Sequence, residues 1–401
     1  MSADKPAILG GTPILSEKVP VTRPTVAPRG PEFYKAMDRV FNSGFLTKGA
    51  ELEGFEYEVA AFIGVRNAVA VSSGTMGLTL TLRCLGLLGH AVMPSFTFMA
   101  TGHAARWNGL EPRFADIDPR TLAIAPGATA PVINSETALV LAVHPFGAPC
   151  EVDELQTLCS SRGIPLVLDA AAALGGCYPD GSRIGTKGLA EIFSLSPTKP
   201  LTCGEGGFIV TNNDDLAKEL RIAREYGNPG NHNSVVIGLN GRMPELSAAL
   251  GRHNLPLLPE WLARRAETAA RYQENLKDIE GIIFQRIPRT AKSTYKDLCV
   301  IIDRELFGLS RDMLADALHQ EGITTRRYFD PPLHRQAAYR QWTVAPGALP
   351  HTESVADGIL SLPLLPDMAT DLVDQICSVI LRIREHSAEI SRRSARGGAD
   401  G

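Results

Sequence analysis

The chain has 401 residues, of which 44% are hydrophobic and 21% charged, with a formal net charge of −4 at neutral pH. This is the composition of a soluble globular protein long enough for two domains. It excludes the basic footprint of a nucleic-acid or anionic-membrane binder, and no apolar run approaches the roughly 20 residues that span a bilayer.

Residues 1–30 are rich in Pro and Gly (GGTPIL, VTRPTVAPRGP) and read as an extended N-terminal arm available to lie across a partner subunit. The start, MSADKPAILGG, lacks the basic and then long apolar stretch of a secretory signal. Across 31–259, apolar runs alternate with helical patterns, and ALVLAVHPFG, IPLVLDA, EIFSLS and GFIVT are the clearest strands. Such alternation predicts an α/β large domain built on a mostly parallel sheet with helices on both faces. Across 260–388 the long helical stretch WLARRAETAARYQENLKDI leads into a smaller α+β C-terminal domain. That domain holds the strand DLCVIID, the helix RDMLADALHQEG and a last helix from 370 to 385. Residues 389–401 end in SRRSARGGADG, a polar and small-residue tail predicted to be disordered. There is no internal repeat.

The stretch IFSLSPTKPLTCGEGGFIVT sets Lys199 between a short β-run and a glycine-rich turn that opens a second β-run. A lone lysine in a polar loop is by itself an ordinary surface residue. Here it follows, thirty residues on, the run IPLVLDAAAALGG, which delivers Asp169 to the end of a buried strand, where open α/β sheets bind ligands. A lysine able to form a Schiff base and a carboxylate able to keep a pyridine nitrogen protonated together suit pyridoxal phosphate. Upstream, a strand over Ala68–Val71 is followed by Ser72, Ser73, Gly74 and Thr75 and then a helix from Met76. Free amides at such a helix start bind anions, although Ser-Gly-Thr is also an ordinary N-cap. Ser194 adds a hydroxyl for the same phosphate. In PSFTFMAT, Phe98 is placed to lie flat on the pyridine ring, and the alternative is that Phe96 and Phe98 are both core aromatics. Seven dispersed cysteines point to reduced thiols in the cytoplasm, and Cys203, near Lys199, reads as a buried inert thiol. The nine histidines show no metal-type spacing, so no metal is expected.

Seven blocks in one order (SSGT, PSFTFMAT, PRFADID, LDAAAALGG, the Lys199 segment with GEGG, GLNGRMPELSAAL and GITTRRYFDPPLH) resemble the DegT/StrS family of pyridoxal-phosphate-dependent sugar aminotransferases from about Gly44 to Ile383. The resemblance implies the aspartate-aminotransferase-like fold type I. It implies Lys199 as the Schiff-base lysine, Asp169 as the pyridinium partner, Phe98 as the stacking ring, and Gly74, Thr75 and Ser194 as phosphate contacts. It also implies a homodimer with shared active sites, in which Asn240 touches the neighbouring subunit's cofactor phosphate with Arg242 beside it. Tyr328 and His334 are implied substrate contacts on a loop from the small domain, where Arg326 and Arg327 also lie. Two positions depart from the family pattern: Ala172 stands where His or Gln is usual, and Ser196 where His is common.

The expected reaction is transfer of an amino group from glutamate or glutamine to a keto sugar, most simply a nucleotide-linked one. Three rivals stand beside it. They are amination of a carbocycle such as an inosose or aromatization of an aminocyclohexadiene acid, lyase or dehydratase chemistry, and non-catalytic sensing. A dehydrating relative carries His at the lysine position, so Lys199 favours transamination by analogy.

Overall fold

The computed structural model describes residues 5–342, 344 and 347–397. Seven strands form the main sheet: β1 (Asn67–Val71), β2 (His90–Pro94), β3 (Glu111–Ala115), β4 (Thr137–Val143), β5 (Leu166–Asp169), β6 (Ala190–Ser194) and β7 (Gly207–Thr211). Their order is β1-β7-β6-β5-β4-β2-β3. Every pairing from β6 across to β3 is parallel, and β7 runs antiparallel to both of its neighbours. The central strands are apolar on both faces because helices cover both. Alternation along β4 sends Val140 and Ala142 into one core and Leu139 and Leu141 into the other, and β5 divides Leu166 and Leu168 from Val167 in the same way. The arrangement brings the carboxyl ends of β4, β5 and β6 together at one edge. This is the mostly parallel α/β sheet with helices on both faces that the alternation of strands and helices predicts.

The helix Leu258–Leu276 leads to an antiparallel sheet of β8 (Ile282–Phe284), β9 (Leu298–Ile302) and β10 (Ile359–Leu362), in the order β10-β9-β8. Val300, Ile302, Leu314, Leu318, Ile376 and Ile380 share a separate core there with the helices Arg311–Gln320 and Thr370–Glu385. Among the described residues, no helix is long and apolar enough to cross a membrane.

Three segments differ from the sequence expectation. The N-terminal arm lies along its own chain: Leu15 and Val19 are buried in the second core, Val19 bridges to Ile323, the Leu364 amide donates to the Val21 carbonyl, and the Ala27 amide donates to Asn254 Oδ1. The tail expected to be disordered from 389 is helical over Ser387–Gly397. Ile390 is buried against the small-sheet core, Glu389 pairs with Lys5, and Arg393 donates to the Ile8 carbonyl. Residues 398–401 lie outside the described residues. Finally, the stretch after Pro332 returns to the large sheet, where Leu333, Tyr339 and Leu349 join the core with β2 and β4, and Asp116 accepts the amides of His351 and Thr352. Its few apolar residues have no regular period, so the pattern carried no sign of this docking.

Glu321 ties the arm to the C-terminal helices. It is fully buried and accepts from the amides of Ala7 (2.8 Å) and Ile14 (3.0 Å) and from Arg382 (2.6 Å). Glu321→Ala leaves a nearly buried guanidinium unpaired, which costs about 3–5 kcal/mol. The expected outcome is a lower urea midpoint and faster protease cleavage within residues 5–28. An unchanged midpoint would show that the clamp is dispensable.

Candidate active site

A cavity of about 430 Å³ opens at the carboxyl edge of β4, β5 and β6. Strand ends, a helix start, the turn after β6, and Lys296, Asp297, Arg326, Tyr328 and Phe329 from the small-sheet side form its wall.

Asp169 closes β5 and is only 5% exposed. Its two oxygens are held separately, Oδ2 by the Thr101 hydroxyl at 2.7 Å and Oδ1 by the Ala171 amide at 3.1 Å. Thr101 in turn exchanges a hydrogen bond with Thr97 at 2.9 Å, so the helix Met99–Trp107 is docked by polar contacts onto the strand end. A buried carboxylate satisfied in this way keeps one orientation and retains acceptor capacity toward the cavity.

After β1, Ser73 caps the helix Gly74–Leu85, its hydroxyl accepting from the Met76 amide at 3.1 Å. The first amides of any helix have no partner inside it, so this end offers free donors and the positive end of the helix dipole. Gly74 is required by packing: a Cβ there would lie 2.8 Å from Ser194 Cβ, so the turn sits directly on β6. The Ser72 amide donates to the Gly241 carbonyl at 2.8 Å, which fastens the Asn240 block beside the same turn.

The two aromatics of PSFTFMAT separate cleanly. Phe96 is 1% exposed and packs edge-on against Phe146 and Phe329. Phe98 is 51% exposed and lines the cavity.

Lys199 lies in a turn pinned on both sides. Its amide donates to the Ser196 carbonyl, Leu195 and Cys203 are joined by a backbone hydrogen bond, Leu195 also bonds to Gly206, and Asn254 holds the Thr202 carbonyl. Enclosure of the amine disfavours its charged form, and the positive charge of Lys296 adds to this, while Asp169 and Asp297 oppose it. The balance draws Lys199 down to about 8. Cys203 is buried away from the wall, and burial pushes its thiol up to about 12.

Gly74, Thr75, Phe98, Asp169, Ser194, Lys199 and Tyr328 all line this one cavity, as do Ala172 and Ser196. Three expected site residues stand apart from it. Asn240 is exposed, its backbone bridging to Glu225. Arg242 pairs with Glu225 at 3.1 Å and lies over the Tyr226 ring. His334 faces inward: its Nδ1 meets the Ser95 hydroxyl at 2.6 Å and its Nε2 lies 3.3 Å from Glu353, so it pins the returning segment rather than lining the wall. Sequence reasoning missed Thr101, Lys296 and Asp297. For the last two, the signal was available as adjacent opposite charges opening an otherwise apolar strand, YKDLCVII.

The sequence model of the DegT/DnrJ/EryC1/StrS aminotransferase family matches residues 29–381. The chain is 34% identical over 352 residues to the erythromycin biosynthesis sensory transduction protein EryC1 of Saccharopolyspora erythraea, across 86% of this chain and 93% of that protein. It superposes on DesI, solved in the presence of its TDP-sugar product, with a TM-score of 0.90 and 36% identity, covering 99% of this chain and 100% of DesI. S. venezuelae DesV, solved with a ketimine intermediate, gives 0.84 and 33% over 93% of this chain and 99% of its own. Helicobacter pylori PseC, an aminotransferase of pseudoaminic acid biosynthesis, gives 0.85 and 26% over 92% and 100%.

The depressed lysine can be read directly. In cofactor-free protein, labelling of Lys199 by trinitrobenzenesulfonate, followed by mass spectrometry, should rise with pH around a midpoint of about 8. Below that midpoint the amine is protonated and unreactive. A midpoint above 10, as for exposed lysines, would mean that the amine is not enclosed.

Proposed function

This chain belongs to the DegT/DnrJ/EryC1/StrS aminotransferase family, and from that premise we propose that it carries an amino group from glutamate or glutamine to a nucleotide-linked keto sugar. It is a pyridoxal-phosphate-dependent aminotransferase of the amino-sugar type. One observation carries our assignment of the site: a single cavity gathers Lys199, Asp169, Phe98 and the helix start at Ser73–Thr75.

These residues fit the cofactor. The donor set matches an anionic phosphate, a protonatable ring nitrogen, a flat aromatic face and an aldehyde, and the side-chain-free Gly74 brings the helix amides up against Ser194. Bound there, pyridoxal phosphate supplies an electron sink for charge that develops at the reacting carbon. In our reading Ser73, Gly74, Thr75 and Ser194 hold the phosphate, and Phe98 covers one ring face and keeps water from it. Asp169 holds a proton at the ring nitrogen, with Thr101 and Ala171 fixing its orientation. Lys199 Nζ takes the proton from the α-carbon of the donor, and returns a proton to the new amine-bearing carbon when the second half-reaction runs the other way. A midpoint of about 8 makes this amine a base that neutral solution can both charge and discharge.

We place the enzyme in the cytoplasm as a homodimer with shared sites. That none of the seven cysteines is paired with another supports the first. For the second, Tyr226, Val235, Ile237 and Leu239 expose apolar side chains in the segment that ends at Asn240. Phe45 and Leu46, equally exposed, lie near its two ends, where the Leu46 carbonyl accepts the amide of Glu245 just beyond Asn240 and Lys48 pairs with Glu225 at 3.4 Å. A patch of this kind marks an interface. Asn240 and Arg242, turned away from their own cavity, are then available to the partner's phosphate and substrate, with Tyr328 on the substrate side of the home site. The TDP-sugar named for DesI supports a nucleotide-linked substrate. Ala172 and Ser196, small residues on the wall, keep a dehydratase as the second reading.

Two experiments test this. Purified enzyme supplied with pyridoxal phosphate, L-glutamate or L-glutamine, and a panel of keto-sugar nucleotides should form aminated sugar with the matching 2-oxo acid. Turnover with free inososes alone would move the assignment to carbocycles, and donor-independent loss of water would favour the dehydratase. In mixed dimers of Lys199→Ala and Asn240→Ala, one of the two sites carries both lesions and the other neither, so about half of wild-type activity per mixed dimer is expected. Complete inactivity would remove the cross-subunit role of Asn240.

A further inference from the structure

Four charged residues on the cavity wall have no part in the chemistry assigned above, Glu205, Lys296, Asp297 and Arg326, and the last three are linked to one another. Lys296 and Asp297 are each 6% exposed, and the Lys296 ammonium lies 2.9 and 3.0 Å from the two carboxylate oxygens of Asp297. Burying such a pair costs both desolvation penalties, and apolar residues of similar volume would serve stability as well or better. Stability alone therefore gives no reason for the ammonium at this place. An ammonium has three N–H donors, and Asp297 engages two, so one remains for a ligand in the cavity.

Tyr328 links this cation to a second. The Lys296 Nζ is 5.3 Å from the Tyr328 ring centroid and the Arg326 guanidinium carbon is 5.8 Å from it, so the two cations are no farther apart than those distances laid end to end. Arg326 is exposed and donates to the Tyr328 hydroxyl at 2.8 Å. Its neighbours on the same loop, Arg327 and Arg335, pair instead with Asp312 and Asp357. The wall thus presents an inner cation close enough to Lys199 for its charge to be felt there, and an outer cation in solvent.

The chemistry of the two substrates decides which of them this pair receives. An amino acid carries a carboxylate on the carbon that bears the reacting nitrogen, so its anion arrives beside Lys199. At the reacting carbon of a keto sugar the neighbours are hydroxyls and ring atoms, and any phosphate is remote. An extended five-carbon dicarboxylate, with a charge-assisted hydrogen bond of about 2.8 Å at each end, reaches from the inner cation to the outer one. We infer that Lys296 and Arg326 form the amino-donor subsite, Lys296 receiving the α-carboxylate and Arg326 the side-chain carboxylate, so that the donor is L-glutamate in preference to L-glutamine. This rests on the aminotransferase reading above. Asp297 keeps the inner ammonium oriented between turnovers.

The test uses the cofactor-loaded enzyme and glutarate, a dicarboxylate with no amine to react. By calorimetry, Arg326→Gln should weaken glutarate at least tenfold, Arg326→Lys should recover most of it, and Lys296→Met should weaken glutarate and the monocarboxylate butyrate alike. Butyrate should be indifferent to Arg326. In parallel, the wild-type preference in kcat/KM for glutamate over glutamine should exceed tenfold and collapse toward parity in Arg326→Gln. Glutarate binding within twofold of wild type in Arg326→Gln, or a wild-type preference for glutamine, would overturn the inference while leaving the aminotransferase standing. Because Lys296→Met strands Asp297 and can fail to fold, the exposed Arg326 variants decide the matter alone if needed. Failure of every amino acid to react would instead bring down the aminotransferase reading, and the donor subsite with it.

Discussion

The site is arranged around a buried carboxylate at the end of a central strand. Asp169 is nearly solvent-free, and its charge is tolerable because Thr101 and the Ala171 amide each hold one oxygen. The Thr101 contact requires the helix Met99–Trp107 to dock over the strand end, and that docking sets Phe98, the residue before the helix, at the cavity. Beside it, the antiparallel return of β7 lets Gly207 lie under the turn at Ser73 and Gly74, where any side chain would collide with the Gly74 amide at 2.7 Å. Sheet topology, packing and site electrostatics are here one arrangement.

The same environment acts oppositely on the lysine. Enclosure outweighs the opposing charges at Lys199, and Lys296 adds to it, so the amine becomes a base usable near neutrality. The carboxylates Asp169 and Asp297 limit the effect. The cavity's chemistry thus comes from a balance of two lysines and two aspartates contributed by separate parts of the chain.

Much of this was legible in the sequence, and the reasons are local. β5 is a short β-branched and leucine run ending in a carboxylate, and the helix Thr370–Glu385 shows its apolar stripe and both boundaries. The Lys199 turn is read from two β-runs around a glycine-rich loop. Other features depend on contacts between residues far apart in the chain. Composition marked the arm as extended but could not tell whose surface it covers, and Leu15, Val19 and Val21 cover their own chain. A polar tail gave no warning that Ile390 anchors it as a helix. His334 looked like a substrate ligand by its motif, yet the docking of Leu333, Tyr339 and Leu349 onto the large sheet turns it toward Ser95 and Glu353. Lys296 and Asp297 went unremarked in the sequence, because it is the fold, laying Thr294 against the Ala172 carbonyl, that carries them to the cavity.

Whether Lys199, Asp169 and the surrounding wall form one working cofactor site is read from the visible absorption spectrum of the purified protein with pyridoxal phosphate. A long-wavelength band of lysine-bound cofactor is expected, and excess L-glutamate should convert it to a shorter-wavelength form. Neither the band nor its conversion should appear in Lys199→Ala. A spectrum identical in Lys199→Ala, or no protein-bound band at all, would mean that the residues gathered at this cavity do not hold the cofactor as described.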